Sequence, residues 1–201
     1  MNLFNKCVKS FLLLLLTACA DTDMTGVLDP SYKNNFVAKR IIIKGANIPL
    51  TDEVKLINSL KKSANEYDVE IINGMSVFPS TRDYSSEELM KIAQKYSADS
   101  ILWFAMHQDS SSVYIPGDHS YSHISTYGNS SRVTTFFDEG YYSERNRVCI
   151  KFILIDTKNG KTIWIADGNS KGQYDFADLI NNLSEKALSM LSEKRILRKK
   201  H

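Results

Sequence analysis

The chain has 201 residues, of which 43% are hydrophobic, 24% charged and 10% aromatic. That balance is ordinary for a globular protein and unlike a collagen, a disordered tail, a disulfide-dense miniprotein or a polytopic membrane protein. Lys and Arg number 25 against 23 Asp and Glu, and a net charge of +2 is too small for nucleic-acid binding by bulk charge.

The amino terminus does not read as folded structure. Lys6 and Lys9 form a basic stretch, and Phe11 to Leu16 form an apolar run too short to span a bilayer but long enough for a signal segment. Leu16-Thr17-Ala18-Cys19 follows. This resembles the lipobox of bacterial lipoproteins. The resemblance implies that residues 1–18 are a signal peptide cut between Ala18 and Cys19. It also implies that Cys19 carries a diacylglycerol on its thiol and an acyl group on its new amino terminus. That covalent lipid is the membrane anchor, and no other cofactor is expected. Several acyl chains on one residue hold a protein stably at a bilayer, where one chain is marginal. Ala20, rather than an Asp, after Cys19 resembles the outer-membrane case of lipoprotein sorting, with the domain facing the periplasm. With Cys7 removed and Cys19 acylated, Cys149 is left as the thiol, so no intramolecular disulfide is expected in an oxidising compartment.

Residues 19–35 are polar after the anchor and show no period, which predicts a lipidated amino terminus and short tether. Residues 36–193 read as a single α/β domain. A β-branched run at 40–43 predicts a buried strand. Val54, Ile57, Leu60 and Ala64 recur at helical spacing and predict an amphipathic helix over 52–66. Residues 68–72 read as a second strand and 73–84 as a loop. Ser85 and Glu88 form a capping box, and Tyr84 with Leu89 a hydrophobic staple, for a helix whose apolar face is Leu89, Ile92, Ala93 and Tyr96. The apolar run 101–106 predicts a central strand buried on both faces. Strands at 148–156 and 161–167 flank Asn159-Gly160, which predicts a two-residue type I′ hairpin turn, with Trp164 packed into the domain. Phe176, Leu179, Ile180, Leu183, Ala187, Met190 and Leu191 line one face of a last helix over 175–193, and Tyr174 with Leu179 repeats the staple. The fold class is α/β: a mixed sheet from β-α-β-α-β, then a β-hairpin and a C-terminal helix, with the helices packed on the sheet.

Phe78-Pro79-Ser80-Thr81-Arg82-Asp83-Tyr84-Ser85-Ser86-Glu87-Glu88-Leu89, followed by Tyr96-Ser97-Ala98-Asp99-Ser100-Ile101-Leu102, resembles a group of bacterial outer-membrane lipoproteins. Asp156-Thr157-Lys158-Asn159-Gly160-Lys161-Thr162-Ile163-Trp164 is similar to a hairpin of the same group. The hairpin and element order also resemble the amino-terminal domain of TolB, the curli secretion lipoprotein and the penicillin-binding-protein activator lipoprotein. The resemblance implies the fold over residues 36–192 and carries no catalytic residues. The activator's tether is long and this one short, and the two amphipathic hairpins of the curli channel are not legible here.

Spellings that suggest chemistry have ordinary structural explanations. Gly168-Asn169-Ser170-Lys171-Gly172 matches the G-x-S-x-G of a nucleophile elbow, but Asp175 is the expected helix cap and His201 the one His downstream. His119 and His123, with Asp118, His107 and Asp109 nearby, would suit zinc on a helix, yet Pro116, Gly117 and Gly128 predict loop. Cys149 reads as a small buried hydrophobe. Glu87 and Glu88 are accounted for by the helix start, and Asp138-Glu139 by a hairpin tip.

The insertion at 108–147 stands out. It is rich in Ser and carries Tyr114, Tyr121, Tyr127, Phe136, Phe137, Tyr141 and Tyr142. It reads as a long loop with a β-ribbon at 132–142, and its aromatics are the candidate partner-binding residues. Residues 194–201 form a basic tail. The expected function is that of a membrane-anchored periplasmic lipoprotein, a non-catalytic binding or assembly module with an envelope protein partner and no nucleic acid. The alternatives are a self-associating ring component, hence a homo-oligomer, and a hydrolase using Ser170 or a metal enzyme using His119 and His123.

Overall fold

The structure, a computed structural model, describes residues 21–46, 48–79, 84–115, 120–127, 130–137 and 141–200, and the side chains among these except at 113–142. Among the described residues, eight strands form a six-stranded mixed sheet and a separate hairpin. The strands are β1 (Asp21–Leu28), β2 (Arg40–Gly45), β3 (Glu70–Asn73), β4 (Ser100–Ile115), β5 (Ser120–Tyr127), β6 (Ser130–Phe137), β7 (Tyr141–Asp156) and β8 (Thr162–Gly172). The helices are α1 (Leu50–Ser63), α2 (Gly74–Val77), α3 (Ser86–Lys95) and α4 (Phe176–Glu193). The sheet order is β1-β8-β7-β4-β2-β3, with β5 paired to β6 apart from it. β2 runs parallel to both β3 and β4, while β4, β7, β8 and β1 pair antiparallel. This is the expected α/β class with a mixed sheet.

The β-branched run Ile41, Ile42 and Ile43 is buried on both faces because β2 lies inside the sheet and helices cover both sides of it. On one side α1 and α4 close over Ile41, Ile43, Leu102, Phe104, Phe152, Leu154 and Trp164. On the other, Ala93 of α3 packs with Ile42, Ile101 and Phe78, and Phe78 stacks on Trp103 at 6.5 Å. The helix α3 starts with the capping box the sequence predicts: Ser85 Oγ accepts from Glu88 N, and Glu88 Oε2 from Ser85 N. Asp175 caps α4 by accepting from Asp178 N at 2.8 Å.

The structure corrects several expectations. Gly74–Val77, within the expected loop at 73–84, is the short helix α2, and Val54 and Tyr96, expected on apolar helix faces, are exposed. Residues 21–28 of the expected tether are a strand paired along its whole length with β8, and residues 30–32 are a 3-10 turn whose Tyr32 is buried. The inward positions of β1 are Thr22, Met24, Gly26 and Leu28. Their period of two is hidden because only two of the four side chains are clearly apolar.

The expected loop at 108–147 is strand for much of its length. β4 continues to Ile115 and β7 starts at Tyr141, in unbroken register from Ser100↔Asp156 to Ile115↔Tyr141. Residues 101–115 and 141–155 contain neither Pro nor Gly, so nothing interrupts the ladder once the buried half has set its register. Pro116 and Gly117, Gly128, and Gly140 fall between strands rather than breaking them.

The connection of β7 to β8 is a five-residue loop, 157–161, rather than a two-residue type I′ turn. Asp156 N donates to Lys161 O at 2.9 Å, and only Gly160 has positive φ, at 70°. Asp156 Oδ1 accepts from Lys158 N and Asn159 Oδ1 from Lys161 N, each at 2.8 Å, and a bulge sits at Leu154/Ile155.

The basic tail is not free either. Ile196 and Leu197 are buried in the main core. Ala38 N donates to Ile196 O, Asp68 N to Arg198 O and Lys200 N to Glu66 O, so residues 196–200 run along the start of β2 and β3.

Candidate functional site

Strand lengths position the most unusual feature. β2 accompanies β4 only as far as Gly45↔Phe104, and β8 accompanies β7 only from Asn146↔Gly172 inward. A single row crosses the sheet near this end: Asp21↔Lys171, Lys171↔Arg147 and Arg147↔Asp109. Beyond it, residues 111–115 and 141–145 continue as a two-stranded ribbon with no third strand among the described residues. The β5–β6 hairpin lies between them in sequence.

The candidate partner-binding aromatics fall on this ribbon and hairpin. Backbone register sets Tyr114 opposite Tyr142, Tyr141 opposite Ile115, Tyr121 opposite Phe136, Phe137 opposite Ser120 and Tyr127 opposite Ser130. Their side chains lie outside the described set, as do Ala18 and Cys19 altogether.

At the root of the ribbon is a groove of about 830 Å³ whose lining includes Asp21, Asp109, Arg145, Arg147, Lys171 and Tyr174. Lys171 Nζ pairs with Asp21 at 2.9 Å, and Arg147 Nε donates to Asn169 Oδ1 at 2.9 Å. Asn146 Nδ2 donates to Tyr174 O and Gln173 Nε2 to Ser143 Oγ, tying the ribbon's base to the turn before α4.

The opposite end of the sheet is a polar latch. Tyr32 Oη donates to Asp156 Oδ2 at 3.0 Å and accepts from Asn159 Nδ2 at 3.0 Å. Burial raises the Tyr32 phenol above its ordinary value of 10.0; the Asn159 hydrogen bond pulls it back, and Asp156 pushes it further up. The Asp99 carboxylate accepts from the N–H groups of Lys39 and Arg40, and the Thr157 hydroxyl donates to Ala98 O at 2.6 Å. The Ser31 backbone N–H, then its hydroxyl, hold Asp29 below the usual carboxylate value. These contacts fasten loops to one another.

Ser170 sits inside β8, fully buried, with its Oγ 2.6 Å from Thr22 Oγ1. A nucleophile elbow needs a sharp turn into a helix and an exposed hydroxyl, and Ser170 has neither. Cys149 is half-buried, with Sγ 3.6 Å from Asn169 Oδ1, rather than in the core. His107 is exposed on β4, while His119 and the side chain of His123 lie outside the described set. Among the described residues no cluster of three or more His, Cys, Asp or Glu is placed to hold a metal, and no helix is long and apolar enough to cross a membrane.

Sequence reasoning missed one buried pair. Lys44 Nζ lies 3.1 Å from Glu53 Oε1, which also accepts from Gly45 N at 2.8 Å. Glu53 follows Asp52 at a helix start, where an acidic residue is ordinary, so nothing in the pattern signals its burial.

No protein-family model matches the chain, and no curated protein matches it. Among solved structures, it is similar to the PelC dodecamer from Paraburkholderia phytofirmans, at 16% identity and TM-score 0.46, covering 85% of this chain and 96% of that one. It is also similar to lipoprotein GNA1162 from Neisseria meningitidis, at 12% identity and TM-score 0.41, covering 77% of this chain and 99% of that one.

Proposed function

We propose that the chain is an envelope lipoprotein, anchored through acylated Cys19 to the outer membrane, that works without catalysis as a binding or assembly module. The observation that supports this reading best is the ribbon. β4 and β7 stay paired for 16 residues each and outrun every neighbouring strand. A two-stranded arm contributes little to the stability of a sheet it has left behind, so its use is in contact with something else. Ser, Tyr and Asn supply adaptable contact chemistry along it. The Leu16-Thr17-Ala18-Cys19 motif supplies the anchor. Partitioning in Triton X-114 tests it: the wild-type chain enters the detergent phase, and Cys19→Ser leaves it. A Cys19→Ser chain that partitions like wild type overturns the lipoprotein reading.

A second reading, self-association into a ring, draws on the open outer edge of β1, where Val27 is 75% exposed. Heterologous edge contacts close into rings when the rotation allows. Sedimentation of the detergent-extracted chain separates the two readings, since a ring sediments far above the monomer.

A further inference from the structure

We infer that the ribbon's partner is the lipid bilayer itself: residues 111–115 and 141–145, with the β5–β6 hairpin, lie against the membrane that holds Cys19. This rests on the reading of Cys19 as the acylated residue. It follows from where the chain enters the fold. Cys19 stands two residues before Asp21, the first residue of β1, and two residues reach at most about 7 Å. With residues 21–28 built into the sheet, no tether separates the anchor from the domain.

The register then fixes which end of the sheet meets the lipid. Asp21 lies in the row that runs through Lys171 and Arg147 to Asp109. From Asp109, β4 goes on for six residues to Ile115, about 20 Å at strand rise, in the direction β1 comes from. The ribbon therefore reaches farther toward the membrane side than the anchored residue does, and it meets the bilayer either along its surface or within its headgroup layer. The other way, nine residues of β7 from Arg147 to Asp156 place the Asp156–Lys161 loop about 30 Å from the anchored end.

The residue types at the two ends agree with this orientation. The membrane-facing row and groove hold Arg145, Arg147 and Lys171 together with Asp21 and Asp109, a mixed charge set suited to zwitterionic and anionic headgroups alike. All seven candidate aromatics are Tyr or Phe: Tyr114, Tyr141 and Tyr142 at register positions of β4 and β7 beyond that row, and the other four on the β5–β6 hairpin, and such rings favour the membrane–water boundary. The basic residues of 194–200 do not compete for the lipid, because their backbone is stitched to Ala38, Glu66 and Asp68 at the far end.

The test uses the full-length chain in a Cys149→Ser background, extracted from membranes and reconstituted in phosphatidylethanolamine–phosphatidylglycerol vesicles with brominated acyl chains. A fluorophore is placed on Ser111→Cys or on Lys158→Cys, both exposed positions; Ser112→Cys replaces the first if it fails to fold. Mass spectrometry of the amino-terminal peptide reads acylation separately. The expected result is an acylated chain whose Ser111→Cys label is quenched severalfold more than its Lys158→Cys label. Equal quenching on an acylated chain overturns the inference and leaves the lipoprotein reading standing. A ribbon label that is shielded by crosslinking to another protein, without lipid quenching, overturns it in favour of a protein partner. An unacylated chain that does not float with the vesicles overturns both.

Discussion

Replacing Trp164 with Ala should remove a large part of the domain's stability. The indole is 1% exposed, pairs across the sheet with Leu28 on one side and Leu154 on the other, and stacks on Phe152 with ring centroids 6.3 Å apart. Its Nε1 is buried with no hydrogen-bond partner among the described residues, so truncation costs packing and leaves no partner stranded. Emptying a site of this kind costs about 3–5 kcal/mol, against a total of roughly 5–15 kcal/mol for a domain. At about 2–4 °C per kcal/mol for a chain of this length, the melting temperature should fall by roughly 6–20 °C. Gly26 supplies the matching perturbation from the other side. A Cβ there would stand 2.7 Å from Trp164 Nε1 and 3.0 Å from Ala166 Cβ. Gly26→Ala should therefore destabilise by about 1–3 kcal/mol through overpacking. Thermal melts followed by circular dichroism, with urea titrations to confirm an unchanged m-value, measure both. A Trp164→Ala melt within a degree of wild type would refute the reasoning, because a ring so placed cannot be lost without cost.

Replacing residues 111–145 with a short Gly-Ser linker should preserve cooperative unfolding, since every described ladder pair of β2 with β4 and of β8 with β7 remains and the Gln173–Ser143 bond is the one side-chain tie named above that is lost; a chain that no longer unfolds cooperatively would make the ribbon part of the core. Glu53→Ala removes both the carboxylate 3.1 Å from Lys44 Nζ and the acceptor of Gly45 N–H, and should cost about 3–5 kcal/mol by urea denaturation, where a surface pair would cost under about 1 kcal/mol. Stability should also fall on the alkaline side. The phenols of Tyr32 and Tyr67 are raised by burial above the ordinary 10.0, so the stability they contribute is complete below that pH and is lost as pH rises through their folded values. Tyr32→Phe should flatten part of the fall in melting temperature between about pH 10 and 12, and an unchanged slope would count against the latch.

What the sequence made legible was whatever a single local rule governs. The capping box of Ser85 and Glu88 depends on two reciprocal bonds between residues three apart and stands where expected, and the run 101–106 is a strand as expected, though burial on both faces holds only for Ile101, Leu102 and Phe104, with Ala105 exposed. β1 escaped because an edge strand alternates against a core that accepts Thr22 and Gly26 as readily as Met24 and Leu28. The outer halves of β4 and β7 escaped because residues 110–112 are three exposed Ser, which carry no period for either face. Their pairing is imposed by the buried register below them. Ile196 and Leu197 were absorbed into the tail by the cations around them, although two adjacent apolar residues after a helix are enough to plug a core. The candidate aromatics were identified as a set from composition, but their cross-strand partners came only with the hairpin register, which no local rule specifies.

The placement of residues 196–200 also governs when the domain can finish folding. Among the described residues β1 pairs with β8 alone, from Asp21↔Lys171 to Leu28↔Trp164, and the amide of Ala38 waits for the carbonyl of Ile196. A polypeptide synthesised amino terminus first thus presents its earliest strands long before their partners exist. Closure of the sheet is deferred to the final stretch of these residues, and until then the growing chain keeps its earliest strands unpaired and open to misassociation.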